Sequence, residues 1–311
     1  MYQEALAATA QRIAPFLHRT PVLTSRLLNQ IAGAELYFKC ENLQRMGAFK
    51  MRGAVNAVLQ LSEEQKTRGV VTHSSGNFAQ ALALAAQSIG VQAYIVMPEN
   101  APQVKKDAVR GYGGQIIECS SEPMAREEVA AQVEKEKGAY FIHPSNDLEV
   151  ILGQGTAALE LLQDHPNLEH IFTPVGGGGL IAGTALAAHS FGQNCTVIGG
   201  EPFAADDAYR SLQSGQIEAN TSTNTMADGL RTQLGDINFP IIQKHVAQII
   251  RVEEAEIMAA LRLIWERMKQ VVEPSSAVAL AALLRNKEEF AGRRIGIILS
   301  GGNVDLSKLP F

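Results

Sequence analysis

Cysteine is scarce in this 311-residue chain: Cys40, Cys119 and Cys195 stand far apart and are odd in number, which excludes a disulfide framework and any Cys-x-x-Cys metal site. They read as small core hydrophobes. No apolar run reaches the roughly 20 residues needed to span a bilayer. The opening Met1-Tyr2-Gln3-Glu4-Ala5 lacks a basic stretch leading into an apolar one, so a cytoplasmic location is expected. An excess of positive charge is also missing. The chain has 27 Lys and Arg against 32 Asp and Glu, a net charge of −5, and no recurring basic cluster, which speaks against a nucleic-acid surface. The expected partner is a small molecule. There is no fixed-period repeat, low-complexity tract or proline-rich linker.

Hydrophobic residues at 46% and charged residues at 19% are ordinary for a soluble globular protein, and the length suggests about two domains with a cleft between them. Short β-branched runs alternate with alanine-rich helical patterns, the mark of an α/β fold with a mostly parallel sheet covered by helices on both faces. Strands are expected at 35–39, 69–73, 92–97, 115–119, 139–142, 170–174, 196–199, 247–252 and 294–299. Apolar residues at spacings of three and four predict helices at 79–88, 124–136, 151–163, 180–190, 253–269 and 276–285. The strands within 50–146 would form a small lobe, and 1–49 with 147–311 a large one, so the two lobes are interleaved in sequence.

Lys50 lies between Phe49 and Met51 at what looks like a helix start, and burial beside apolar groups lowers a lysine pKa by penalising its charged form. It is therefore a candidate covalent anchor for an aldehyde cofactor. The competing reading is a surface lysine snorkelling off a helix.

Three glycine and serine loops share one architecture, a buried strand running into a polar turn and then a helix or the chain end. In Gly176-Gly177-Gly178-Gly179, backbone N–H groups can converge on an anion at a helix N-terminus. Residues three beyond Gly178 and Gly179 are Ile181 and Ala182, so GxGxxG spacing fails, and no lysine follows as in a P-loop. A phosphate smaller than a nucleotide tail fits better. In His73-Ser74-Ser75-Gly76-Asn77, hydroxyls and N–H groups can hold a substrate carboxylate and the Asn77 amide a phenolic oxygen; the alternative is that Ser74 or Ser75 merely caps the helix. Ser300-Gly301-Gly302-Asn303 ends another apolar strand. Ligands bind at the carboxyl ends of strands in open α/β sheets, so all three loops belong on one rim.

Together with Gly153-Gln154-Gly155-Thr156 and Trp265-Glu266-Arg267-Met268-Lys269, these runs make the chain resemble pyridoxal phosphate enzymes of fold type II, in the serine racemase and serine/threonine dehydratase branch. The resemblance covers nearly the whole length. It implies that Lys50 is the Schiff-base lysine beside Phe49, Gly176 to Gly179 the phosphate cup, Asn77 the partner of the ring 3-oxygen and Ser300 that of the ring nitrogen. Ser74, Ser75, Gly76 and Asn77 would bind substrate. The implied activity is loss of water and then ammonia from L-serine or L-threonine, with Lys50 as general base on Cα. In the racemase branch, the serine matching Ser75 reprotonates Cα on the opposite face, so serine racemisation is a companion expectation. The chain departs from the pattern at Phe78, where histidine is usual.

Glu201, Ala205 and Asp207 match a divalent-cation site of that branch, for Mg²⁺ or Ca²⁺. Read without the resemblance, Asp206 and Asp207 are acids favoured at a helix start. Arg126, if it faces the cleft, would admit the second carboxylate of threo-3-hydroxyaspartate, the alternative substrate; otherwise it pairs with Glu122 on the surface. His143 and Trp265 read as packing residues. The resemblance further implies a homodimer, and since the chain ends soon after Asn303 no C-terminal regulatory domain is expected.

Overall fold

The computed structural model describes residues 2–122 and 124–306. The chain enters on α1 (Tyr2–Ile13), β1 (Val22–Leu23), α2 (Arg26–Ala32) and β2 (Glu35–Cys40). It then alternates through α3 (Lys50–Leu59), α4 (Glu63–Arg68), β3 (Val70–His73), α5 (Asn77–Ile89), β4 (Ala93–Pro98), α6 (Gln103–Gly111), β5 (Gln115–Cys119), α7 (Ala125–Lys137) and β6 (Tyr140–Phe141). The remainder runs α8 (Leu148–Asp164), β7 (His170–Pro174), α9 (Gly179–Phe191), β8 (Thr196–Pro202), α10 (Asp207–Ser214), α11 (Phe239–His245), β9 (Val246–Val252), α12 (Glu254–Leu263), α13 (Pro274–Arg285) and β10 (Arg294–Leu299).

Two sheets result, a six-stranded one ordered β1-β2-β10-β7-β8-β9 and a four-stranded one ordered β5-β4-β3-β6. All pairs are parallel except β1 with β2. The larger sheet takes its strands from both ends of the chain and the smaller from its middle. Every expected strand is present within a residue or two, except that β8 runs three residues past its expected end at Gly199. Alternation along the strands divides the core: Val70, Ile95 and Met97 pack with α3 and α5, while Val71 and Val96 face α7. Likewise α12 and α13 cover one face of the large sheet, and α8 and α9 the other.

The helix reading changes in two respects. The stretch expected as one helix over 253–269 is α12 followed by a π-turn at Ile264–Met268, closed by Lys269 at φ 58°. That wider turn lets Trp265 Nε1 donate to the Val272 carbonyl at 2.9 Å, so Trp265 hydrogen-bonds as well as packs. Helices α1, α2, α4, α6, α10 and α11 were not among those expected, and α3 was expected only as a helix start at Lys50.

Helix α3 is tied to the large sheet by ion pairs. Arg52, fully buried, makes two bonds to Glu41 at 2.7 and 2.8 Å and two to Glu160 at 2.8 and 2.9 Å, and Lys39 on β2 reaches Glu160 at 2.6 Å. Two cations thus meet two carboxylates, the balance a buried network needs. Among the described residues, no helix is long and apolar enough to cross a membrane.

Candidate active site

Lys50 opens α3 immediately after a segment zipped onto the turn that follows β10. Phe49 N donates to the Ser300 carbonyl at 2.9 Å, Gly302 N to that of Gly47 at 2.9 Å, and Ala48 bridges Gly301. Met46 at φ 54° and Gly47 at φ 79° make the sharp turn this requires. The segment leading into Lys50 and the turn of Ser300, 250 positions further on, are therefore held by shared backbone hydrogen bonds.

The lysine does not snorkel into solvent. Its Nζ donates to the Pro144 carbonyl at 2.8 Å and lies 5.0 Å from the Phe49 ring centroid and 5.7 Å from that of Phe78. Burial pulls its pKa down to about 8, with the Glu273 carboxylate opposing part of the shift. Phe78 therefore serves as an apolar wall beside the amine.

The loop from Gly176 to Gly179 lies between β7 and α9, whose first turn leaves N–H groups without intrahelical carbonyls. Its glycines are walled from outside. A Cβ would stand 2.8 Å from Leu230 Cα at Gly176, 2.6 Å from Leu234 Cδ2 at Gly178 and 2.6 Å from Gln154 Oε1 at Gly179, and at Gly177 it would overlap the Ser145 hydroxyl. Gly178 also needs φ 81°. Only glycine fits such a cradle, as close backbone approach to a phosphate demands.

The loop after β3 is not a helix cap. Gly76 takes the N-cap position of α5 with no side-chain cap bond; Ser74 Oγ accepts from Gly76 N at 3.3 Å, and among the described residues the Ser75 hydroxyl has no partner. Asn77, first in α5, donates through Nδ2 to Glu273 and accepts from Asn303 Nδ2. Ser300 is buried, with its hydroxyl 3.0 Å from that of Ser276 on α13.

Sequence reasoning missed Glu273 and Ser276. Glu273 lies at the N-cap of α13, and burial pushes its pKa up to about 7. One local signal existed, an acid within the apolar run Val271-Val272-Glu273-Pro274. His143 does more than pack: its Nδ1 accepts from Ser145 N at 3.1 Å and Asn146 N at 2.8 Å, shaping the turn that presents the Pro144 carbonyl to Lys50. Accepting at Nδ1 suits a neutral ring, and burial lowers its pKa to about 4.

Away from this rim, Glu201 accepts from Ala208 N at 3.0 Å and Tyr209 N at 2.8 Å, so it is Glu201 that caps α10. Asp207 accepts from Asn220 Nδ2 at 2.8 Å and Leu234 N at 3.0 Å, while Asp206 pairs with Arg210 and Arg251. Burial and the neighbouring Asp207 raise the Glu201 pKa, and burial raises that of Asp207 to about 6. Among the described residues no three His, Cys, Asp or Glu side chains form a metal-binding group, so a cation here would rest on two carboxylates, the Ala205 carbonyl and water. Arg126 lies exposed in the first turn of α7, without an ion pair to Glu122 among the described residues.

The model of the family described as pyridoxal-phosphate dependent enzyme matches residues 13–301. A beta-hydroxyaspartate dehydratase of Paracoccus denitrificans is 50% identical over 310 residues, covering 100% of this chain and 98% of the relative. A serine racemase of Dictyostelium discoideum is 51% identical over 305 residues, covering 96% of this chain and 94% of the relative. The crystal structure of serine racemase from the same organism superposes with a TM-score of 0.94 at 49% identity, over 98% of this chain and 99% of that one. A family match over most of the chain, with relatives half identical along nearly their whole length, shows that the chain belongs to the fold type II pyridoxal phosphate dependent enzymes, among the serine racemases and ammonia-lyases.

Proposed function

We propose that the chain removes water from small β-hydroxy amino acids, L-serine or L-threonine, releasing a 2-keto acid and ammonia, with serine racemisation as a companion. The observation that supports this most is Lys50, whose amine is held 2.8 Å from the Pro144 carbonyl between the Phe49 and Phe78 rings and is made partly neutral by burial. Pyridoxal phosphate, when bound, supplies an electron sink for charge at the substrate Cα.

The residues suit that group. Lys50 would anchor it beside Phe49, Gly176 to Gly179 would cradle its phosphate, Asn77 would face its 3-oxygen and Ser300 its ring nitrogen. Ser276 Oγ stands 2.8 Å from the Gly301 carbonyl and 3.0 Å from Ser300 Oγ. Ser276 donates to that carbonyl, which also accepts from Glu273 N at 3.0 Å, and a Ser300 hydroxyl turned toward the ring nitrogen would give its single proton there. A neutral donor there tempers the electron sink, which favours prompt loss of the β-hydroxyl. Lys50 as free amine would take the Cα proton, and the Pro144 carbonyl would hold the ammonium that results. Ser75 would return a proton to Cα when racemisation occurs. Substrate carboxylate would rest on Ser74, Ser75, Gly76 and Asn77. Glu201, Ala205 and Asp207 would hold Mg²⁺ or Ca²⁺ in a supporting role, two buried carboxylates with raised pKa values being what a cation relieves. Residues 50–146 would act as the small lobe over a large lobe of 1–49 and 147–311.

A second reading, threo-3-hydroxyaspartate ammonia-lyase, is favoured by Arg126, whose charge is felt at His73 beside the substrate loop. The Paracoccus relative's name points the same way.

Incubation with L-serine, L-threonine and L-threo-3-hydroxyaspartate separately, with and without Mg²⁺, while following keto acid and D-serine, tests both. Keto acid from serine or threonine supports the first reading, and D-serine adds the racemase role of Ser75. Turnover of hydroxyaspartate alone, with KM raised in Arg126→Ala, moves the assignment to the second; no product from any of them overturns elimination.

A further inference from the structure

Gly153-Gln154-Gly155-Thr156 is a motif that the chemistry above leaves without a task, and it lies in the middle of α8, sandwiched between α3 and α9. Toward α3, a Cβ at Gly153 would stand 2.5 Å from the Arg52 carbonyl oxygen and 2.7 Å from Gly53 Cα, and one at Gly53 would stand 2.8 Å from the Val150 carbonyl oxygen. Toward α9, a Cβ at Gly155 would stand 2.6 Å from the Gly183 carbonyl oxygen, and one at Gly183 the same distance from Gly155 N. Backbone meets backbone on both sides, so neither neighbour can move closer. Helix α3 begins with Lys50 and α9 with Gly179, the two ends of the cofactor site.

The polar members of the motif join the same two ends. Thr156 Oγ1 accepts from Arg52 Nη1 at 3.1 Å and donates to the Gly153 carbonyl at 2.6 Å. Gln154, fully buried, donates from Nε2 at 3.4 Å to the Pro144 carbonyl that also holds Lys50 Nζ at 2.8 Å. Its Oε1 is turned to the other end, 2.6 Å from where a Gly179 Cβ would stand, and has no partner among the described residues. A buried amide left half-satisfied is costly, and here it spans from the lysine's acceptor to the mouth of the glycine loop.

We propose that this motif is a ruler: α8 sets the distance between the Lys50 amine and the Gly176 to Gly179 loop to the length of one rigid ligand, with Gln154 as its positioning residue. The inference rests on the assignment of those two ends in the proposed function. A ligand that engages both ends gains from their fixed separation as two linked binding events do, and loses that gain when the separation slips, although each end by itself still binds.

The test uses the full-length chain stripped of cofactor, with three probes: pyridoxal phosphate, which spans both ends, pyridoxal, which engages the amine alone, and inorganic phosphate, which engages the loop alone. Dissociation constants are compared between the unmodified chain and Gly155→Ala, which forces α8 from α9. Gln154→Met and Thr156→Val keep the shape without the hydrogen bonds, and carry the test if Gly155→Ala does not fold. The expected result is a loss of tenfold or more for pyridoxal phosphate, with pyridoxal and phosphate each changed by less than threefold. A loss for pyridoxal phosphate no greater than that for the separate pieces in all folded variants would overturn the ruler alone. Pyridoxal phosphate that binds the unmodified chain no better than the pieces do would overturn the site assignment, and the ruler with it.

Discussion

Asn77 Nδ2 stands 2.9 Å from Glu273 Oε1 and 3.1 Å from Oε2, while Asn77 Oδ1 accepts from Asn303 Nδ2 at 2.9 Å. An ionised carboxylate only accepts, so Glu273 decides which way the amide points. One Nδ2 proton shared between the two carboxylate oxygens would leave the other for a ligand oxygen. Glu273→Gln would remove that constraint, since the amide it introduces can face Asn77 with either end. The substitution is expected to lower kcat/KM by about 10- to 100-fold, the loss of a charge-assisted hydrogen bond. The native profile should fall on the acid side of about pH 7 as Glu273 takes a proton, and that limb should vanish in the variant. A variant retaining the limb would show that another group causes it.

Lys50 titrates near 8 in the cofactor-free chain, well below the ordinary lysine value of 10.5. Labelling its amine with an acylating reagent across pH, read by mass spectrometry, should give a midpoint there. Between about 8 and 10.5 the unfolded chain binds more protons at this position than the folded one, so this group's contribution to stability rises with pH across that window. Glu273 acts oppositely, because its folded pKa is raised: stability from it falls as pH climbs from 4.5 to about 7. Urea unfolding of Lys50→Met and Glu273→Gln against the native chain separates the two slopes.

Phe78 is 2% exposed and packs in the core between α3 and the small sheet while facing Lys50. Phe78→Ala should cost about 3–5 kcal/mol in a denaturant melt and admit water to the amine. The Lys50 labelling midpoint should then move upward. An unchanged midpoint would mean that Phe49 and the surrounding helices suffice to desolvate it.

Arg52 neutralises Glu41 and Glu160 inside the protein. Arg52→Met would leave both carboxylates facing one lysine, at a cost of about 3–5 kcal/mol at neutral pH. Acid should reduce the difference from the native chain, because the orphaned carboxyls can protonate. A difference that stays constant in acid would point to lost packing instead.

A divalent cation held by Glu201, Ala205 and Asp207 should raise the melting temperature. At a hundredfold excess over Kd the gain is about 2.7 kcal/mol, or several degrees. Asp207→Asn should abolish the rise given by Mg²⁺ or Ca²⁺, and a chelator should reverse it in the native chain. Equal melting curves with cation and with chelator would overturn the assignment.

Strands and loops were legible along the chain because their signals are local. A β-branched run such as Ile295 to Leu299 followed by Ser300-Gly301-Gly302 announces a buried strand ending in a tight turn, whatever surrounds it. The burial of Lys50 was less legible, because Phe49 and Met51 beside it suit a surface helix start as well, and only the fold brings Pro144 and Phe78 to its amine. The interruption of 253–269 by a π-turn was not legible, since the same side chains suit an α-helix and only the reach of Trp265 to Val272 shows the extra residue.

Residue types and spacing alone thus settled the α/β class and the strands that end in the three glycine and serine loops, because each is a property of a short stretch of chain. Glu273 beneath Asn77, 196 positions away, and Pro144 holding Lys50 from 94 positions away, were settled only by folding. The glycines of α3, α8 and α9 belong to the same class: each reads singly as a weak helix residue, and acquires its meaning where two backbones come too close for a Cβ to stand between them.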